Sequence, residues 1–304
     1  MPRLSVILIA RNEAKRLPAA LASVGFADEI VVVDGGSDDA TAEIARRAGA
    51  TVSVRPDWQG FGVQKNRALA LATGDWVLSL DCDERISPES RDEILAAIAQ
   101  PSAAGYRLPR LSSMCCRPML HAGWWPDHVL RLARRDQARF TDDVVHERME
   151  VNGPVGTLTQ PILHEGYATL EDALQKMNRY STDGARRMRR EGRGAAGPVA
   201  SAFQAAARGT WMFLRTYLFK AGFLDGREGF YVAVVNAENT FWRYAKRGYP
   251  DPAEDAAGAR ATTAPTATTA AATTAGPHAD PHRPPTPAPS ERERTHESGS
   301  HPTT

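Results

Sequence analysis

Cysteine is scarce in this chain, with three in 304 residues: Cys82 and the vicinal pair Cys115-Cys116. That excludes a disulfide framework and fits a reducing, cytoplasmic setting. An excess of one charge is also missing. The formal net charge is +1, so no nucleic-acid partner is expected. Long apolar runs are absent as well. Leu4 to Ala10 is seven residues and meets Arg11 at once, so no secretory signal is read. The longest apolar stretch, Ala195 to Phe219, is interrupted by Gln204, Arg208 and Arg215, whereas a membrane span needs about 20 mostly apolar residues. A fully integral protein is not expected; peripheral contact with the inner face of a plasma membrane stays open. Beyond Asp251 large apolar residues almost vanish from an Ala/Thr/Pro/His-rich segment. Such a segment cannot bury enough surface to offset its ordering entropy, and residues 250–304 are expected to be disordered. No internal repeat is seen.

What is present, an apolar fraction of 42%, supports a substantial core. The first hundred residues alternate between two patterns. Ser5 to Ile9, Ile30 to Val33, Thr51 to Val54 and Trp76 to Leu80 are short apolar, β-branched runs. Between them, Ala14 to Val24, Asp39 to Ala48 and Phe61 to Ala72 have helical spacing, with Ser37 or Asp38 placed to cap the second. Ser87-Pro88 reads as an N-cap and first-turn proline opening a helix to about Ala99. Strands alternating with ten-residue helices, without face alternation, predict an α/β fold with a parallel sheet covered on both sides. From Gly105 to His164 shorter strands are read at Tyr106 to Leu108, Val129 to Leu132 and Val155 to Leu158. From Thr169 to Tyr249 the pattern turns helical. The expected organisation is 1–168 catalytic, 169–249 a helical extension, and 250–304 a tail.

Ligands of open α/β sheets collect outside the carboxyl ends of the strands. Three such ends are polar here: Ala10-Arg11-Asn12-Glu13, Asp34-Gly35-Gly36-Ser37-Asp38 and Asp81-Cys82-Asp83-Glu84. Two carboxylates at i and i+2 after a core strand repel and raise one another's pKa unless compensated. A hard cation, Mg²⁺ or Mn²⁺, would relieve this and leave positions for phosphate oxygens; an acidic turn into the next helix is the alternative. Asp34 beside Gly35 and Gly36, which permit conformations closed to other residues, can accept from a nucleobase N–H, or be a plain Asp-Gly turn. Lys65 and Arg67, opening a helix, can neutralise a diphosphate, or simply be solvated. Trp124, Trp125 and Asp127 suit an acceptor platform, since sugar C–H faces pack on aromatic rings and a carboxylate accepts from hydroxyls; two core tryptophans are the alternative.

The ordered set resembles the family 2 inverting glycosyltransferases, most closely the lipopolysaccharide core β-1,4-glucosyltransferase subgroup. The matching features are Ile9-Ala-Arg-Asn-Glu13, Val33-Asp-Gly-Gly-Ser-Asp38, Gln64-Lys-Asn66, Trp76 to Glu84 and Val145-His-Glu147, then His164, Lys176-Met-Asn178 with Tyr180, and Gly222-Phe-Leu-Asp-Gly226. The resemblance spans residues 3 to 249; Cys82 departs from the subgroup's small alanine. It implies a GT-A fold, a Rossmann-like, mixed and mainly parallel sheet flanked by helices. It further implies that Asp34 binds the uracil of a UDP-sugar, with Arg11, Glu13, Gly35, Gln64, Lys65 and Asn66 around the nucleotide-sugar. Asp81 would serve ribose or metal, Asp83 the metal, and His146 or His164 a third ligand or an orienting group. The base that takes the acceptor's proton would be one of Asp142, Asp143, Glu147 and Glu165; the subgroup motif favours Glu147, then Asp143. The implied reaction moves a hexose, glucose by subgroup, onto a glycolipid or glycan acceptor. Competing readings are a sugar nucleotidyltransferase, disfavoured by the lack of glycine after the first strand, and a non-catalytic nucleotide- or sugar-binding module.

Between Arg186 and Lys220 eight basic residues stand against one acid, Glu191, with Trp211, Phe213, Tyr217, Phe219 and Phe223 interleaved or following. That composition suits an anionic membrane surface, or a helical hairpin packed on the catalytic domain with its arginines solvated.

Overall fold

The computed structural model describes residues 2–141, 147–192 and 197–249. The sheet is built around β1 (Leu4–Ala10), flanked by β2 (Glu29–Asp34) with β3 (Thr51–Val54) beyond it, and on the other side by β4 (Trp76–Ser79). These four strands are parallel. The rest of the sheet is mixed: β5 (Glu84–Ile86), β6 (Gly105–Met114), β7 (Arg117–Pro118), β8 (His128–Arg134), β11 (Val155–Thr157) and β12 (Ile162–Tyr167). Its order runs β3-β2-β1-β4-β8-β6-β12-β5, with β4 and β8 antiparallel and β6 and β12 parallel. A separate hairpin joins β9 (Ala138–Phe140) to β10 (Met149–Val151). The mixed, mainly parallel sheet covered by helices is the expected fold.

Alternation along β1 divides the core. Leu4, Val6 and Leu8 pack with Trp76, Leu78, Leu17 of α1 (Leu17–Ser23) and Ile94 of α4 (Pro88–Ala99) on one face. Ile7 packs with Val31, Val33, Val77 and Ala68 of α3 (Phe61–Leu71) on the other. Both faces are buried, which is why these strands read as unbroken apolar runs. Register then sets the site. Ala10 pairs with Asp34, and the N–H of Leu80 donates to the carbonyl of Ile7, so the chain leaves all three strands at nearly one level.

Local signals hold in part. Ser87 Oγ accepts from the Ser90 N–H as read. The helix α2 (Thr41–Arg47) is not capped by Ser37 or Asp38. Asp39 accepts the Thr41 N–H at 3.0 Å, while Ser37 and the Asp38 N–H are drawn to Asn12 by hydrogen bonds of 2.9 and 2.8 Å. Cross-strand loop contacts outcompete the local cap there. Of the pair after Asp34, Gly36 has a left-handed backbone, at φ 81°, whereas Gly35 does not need its glycine for conformation.

The region after Thr169 forms α5 (Leu170–Arg190), α6 (Pro198–Leu214) and α7 (Gly226–Gly248), with a π turn at Arg215–Phe219 and a 3-10 turn at Gly222–Asp225. Met177, Val232 and Val235 dock on Met114 and Met119. Asp225 fastens this part by accepting the His121 N–H at 2.9 Å and facing His121 Nδ1 at 2.9 Å. A Cβ at Gly229 would lie 1.8 Å from the Gly222 carbonyl oxygen, so the helix start seals on backbone alone. The tail assigned to 250–304 lies outside the described residues.

Glu29 clamps the rear edge of the sheet. It accepts from Ser5 Oγ at 2.5 Å and from the Thr73 N–H at 2.7 Å. Partial burial acts to raise its carboxyl, but these donors outweigh it and hold the group below the ordinary value of 4.5. A depressed native pKa gives stability present above pH 4.5 and lost as pH falls below it. Glu29→Gln is therefore expected to flatten the pH dependence of unfolding free energy below that point. Identical acid slopes in urea titrations of both proteins would contradict this.

Candidate active site

The three strand ends open on one cleft, a cavity of about 1310 Å³ lined by Ala10, Arg11 and Glu13 after β1, Val33 and Gly35 at β2, and Asp81, Cys82 and Asp83 after β4. Its far wall carries Trp124, Asp127, Glu147 and His164. The residues of α5 that reach it include Asp172, Lys176, Arg179 and Tyr180.

Across its floor runs a chain of alternating charges. Lys65, 5% exposed, places Nζ 3.1 Å from Glu147 Oε1 and 3.1 Å from Asp81 Oδ1. The other oxygen of Asp81 accepts from buried Arg131 at 2.5 Å, and the same guanidinium donates to Glu84 Oε1 at 2.7 Å. Glu84, fully buried, also accepts the Asp81 N–H at 3.0 Å and faces Arg110 at 3.8 Å. Arg110 then holds Asp127 at 2.6 Å. Burial alone would raise the Asp81 carboxyl, but Arg131 and Lys65 outweigh it and hold the group far below the carboxylate range. The compensation that the acidic pair was expected to need is supplied at Asp81 by two protein cations invisible in the local motif.

Asp83 differs. Burial would raise it, but His164, with Nε2 at 3.7 Å, holds it below the ordinary value. His164 is oriented by Ser112 Oγ, 2.8 Å from Nδ1. Among the described residues no cluster of three or more His, Cys, Asp or Glu side chains is arranged to hold a metal by itself. Asp83 and His164, with Asp81 beside them, still fit a cation whose remaining positions phosphate oxygens would fill. Cys82 is a bystander. Burial drives its thiol above the ordinary value, and Sγ donates to the Ile9 carbonyl at 3.3 Å.

Several expected contacts are placed elsewhere. Asp34 is 2% exposed, accepts from Ser37 Oγ and the Ser37 N–H, and does not line the cleft; it shapes the loop there. Asn66 is spent on Phe140, donating to its carbonyl and accepting from its N–H, both at 2.9 Å. Arg67 turns to Asp57 at 2.6 Å, and Lys65 is committed to carboxylates, so the expected basic pair at the helix start is not assembled. Gln64 lines the cleft while its amide donates to the Arg55 carbonyl at 2.9 Å. Trp124 lines the cleft and packs on Tyr167 at 5.6 Å between centroids, but Trp125 does not line it. Of the base candidates, Glu147 faces the cleft; Glu165 does not line it and is paired with Arg16 at 3.3 Å. Asp142, Asp143 and His146 lie outside the described residues.

Sequence reading missed Arg131 and Arg110 and gave Glu84 no role of its own. A signal existed for Arg131: an arginine inside the apolar strand Val129 to Ala133 must find a buried acid or be expelled. Removing it leaves fully buried Glu84 with only the longer contact to Arg110 at 3.8 Å, and Asp81 with Lys65 alone. Arg131→Met is expected to cost about 3–5 kcal/mol in urea unfolding; a loss under about 1 kcal/mol would show that solvent compensates the pair.

A family model described as glycosyl transferase family 2 matches residues 5–115. An uncharacterized glycosyltransferase of Rickettsia typhi is 30% identical over 266 residues, covering 81% of this chain and 87% of that protein. The lipopolysaccharide core biosynthesis glycosyltransferase LpsC of Rhizobium meliloti is 28% identical over 270 residues, covering 82% and 95%. Among solved structures, S. aureus TarS residues 1–349 aligns with a TM-score of 0.41 at 18% identity, covering 60% of this chain and 65% of that one.

Proposed function

The chain belongs to glycosyltransferase family 2, and on that footing we propose that it transfers a hexose, glucose in the first instance, from a UDP-sugar to a hydroxyl of a lipid-linked envelope glycan such as lipopolysaccharide core. The observation that carries this reading is the cleft itself: strand-end loops on one wall, an aromatic and acidic wall opposite, and a charge chain joining them. The relationship to LpsC supports the choice of acceptor. Family membership removes the sugar nucleotidyltransferase reading.

Arg11, Glu13 and Gly35 form the donor wall, with Asp34 holding its loop through Ser37. Asp83 and His164, with Asp81 beside them, would hold Mg²⁺ or Mn²⁺, which when bound supplies positive charge to the departing diphosphate. Trp124 presents a ring to the acceptor sugar, and Asp127 accepts from its hydroxyls. Glu147 accepts the proton of the attacking hydroxyl as the new C1–O bond forms and the bond to the UDP oxygen breaks, inverting C1. Lys65 fixes Glu147 relative to Asp81, so base and donor site share one anchor.

The test is UDP release from UDP-glucose with Mn²⁺ and a lipid-linked core acceptor. Glu147→Gln is expected to lower transfer by at least about 100-fold while UDP-sugar binding persists; near-normal turnover would remove Glu147 from the role. Trp124→Ala should raise the KM of the acceptor more than that of the donor. An equal rise in both would make Trp124 a packing residue.

A further inference from the structure

The helix α6 is built inside out. At 100° per residue, Val199, Phe203, Trp211 and Leu214 fall within an arc of about 120°. This stripe faces solvent, with Val199 85%, Phe203 78% and Trp211 55% exposed. The opposite face is Ser201, Ala205 and Gly209, all buried. These small residues admit α7, since a Cβ at Gly209 would stand 3.2 Å from Phe241 Cβ. A water-facing helix does the reverse and turns its large apolar residues inward. The surface continues past the helix end, where Phe219, 70% exposed, stacks with Trp211 at 5.6 Å. Leu218, Phe223 and Leu224 are exposed beside it.

Charge identifies the occupant. From 197 to 224 there is no acid, and the cations are Arg208, Arg215 and Lys220. Arg215 and Lys220 are exposed, whereas the next acids, Asp225 and Glu228, are buried. Two arginines of α5 are engaged elsewhere: Arg187 with Glu191 at 2.8 Å and Arg189 with the Lys246 carbonyl at 3.1 Å. No helix among the described residues is long and apolar enough to cross a membrane. The tail from 251 to 304 contains no Leu, Ile, Val, Met, Phe, Trp or Tyr, so it offers nothing to cover the stripe. A second copy docked about a two-fold axis would bring like cations together.

We propose that the outward face of α6 and the turns after it seat this enzyme in the interface of an anionic phospholipid bilayer, beside the acceptor end of its cleft. The adjacency is direct. The Lys220 carbonyl accepts the Ala122 N–H at 2.8 Å, and the Lys220 stem lies over Gly123, which lines the cleft with Trp124. An acceptor held by a lipid would reach Trp124 without leaving the membrane surface. This rests on the glycosyltransferase reading only for its purpose; the surface itself is tested independently.

The full-length protein is sedimented with phosphatidylcholine vesicles, with and without phosphatidylglycerol. The expected result is binding to the anionic vesicles, weaker binding to the neutral ones, and about a tenfold or greater loss in the double variant Trp211→Glu/Phe219→Glu. Both sites are exposed, so the variant should keep its melting temperature and its UDP-sugar-induced thermal shift. The idea is overturned if the wild type stays in the supernatant with anionic vesicles, or if the double variant sediments equally well. It is also overturned if the wild type is a dimer that the double variant dissolves while neither binds vesicles. Loss of the UDP-sugar shift in the wild type would instead sink the donor-site reading and leave the surface untouched.

Discussion

The carboxylate of Asp81, held between Lys65 and Arg131, is the interaction on which the rest of the cleft depends. It lies just after the central parallel strands, half-buried, where an unpaired charge would be costly. Two cations from distant parts of the chain remove that cost and tie three regions together. Lys65 brings α3 and Glu147; Arg131 brings β8 and, through Glu84, β5. The parallel half of the sheet, whose ends carry Arg11, Glu13 and Asp83, is thereby tied to the mixed half, which carries His164.

This arrangement divides labour between neighbouring acids. Asp81 is paired with two cations, Lys65 and Arg131. Asp83, two residues on, faces His164 at 3.7 Å and feels Lys176 and Arg16 only at longer range. Short acidic motifs at strand ends are often treated as one unit; here the surroundings separate their roles. The same holds for the two tryptophans, since Trp124 lines the cleft and Trp125 does not.

The strands were legible because both sheet faces are buried, so apolar runs mark them directly. The convergence of Arg11, Glu13, Asp81 and Asp83 followed from strand ends alone. What was not legible is long-range pairing. Nothing local to Lys65 says that it will bind Glu147, 82 positions away, rather than a phosphate. Asn66 enters the donor set through the family resemblance, but β9 supplies a backbone edge that satisfies it. The inverted face of α6 escaped because periodicity gives the apolar stripe and not the side from which α7 arrives.

The proposed cation site for the diphosphate of a UDP-sugar is formed by Asp83 and His164, beside an Asp81 already paired with Lys65 and Arg131. Thermal unfolding of the wild type and of Asp83→Asn, each with UDP in the presence and absence of Mn²⁺, tests it most directly, since a ligand raises stability by RT ln(1 + [L]/Kd). The expected result is a UDP-dependent rise in melting temperature that requires Mn²⁺ in the wild type and is absent in Asp83→Asn. An equal rise without Mn²⁺, or one retained in the variant, would contradict it.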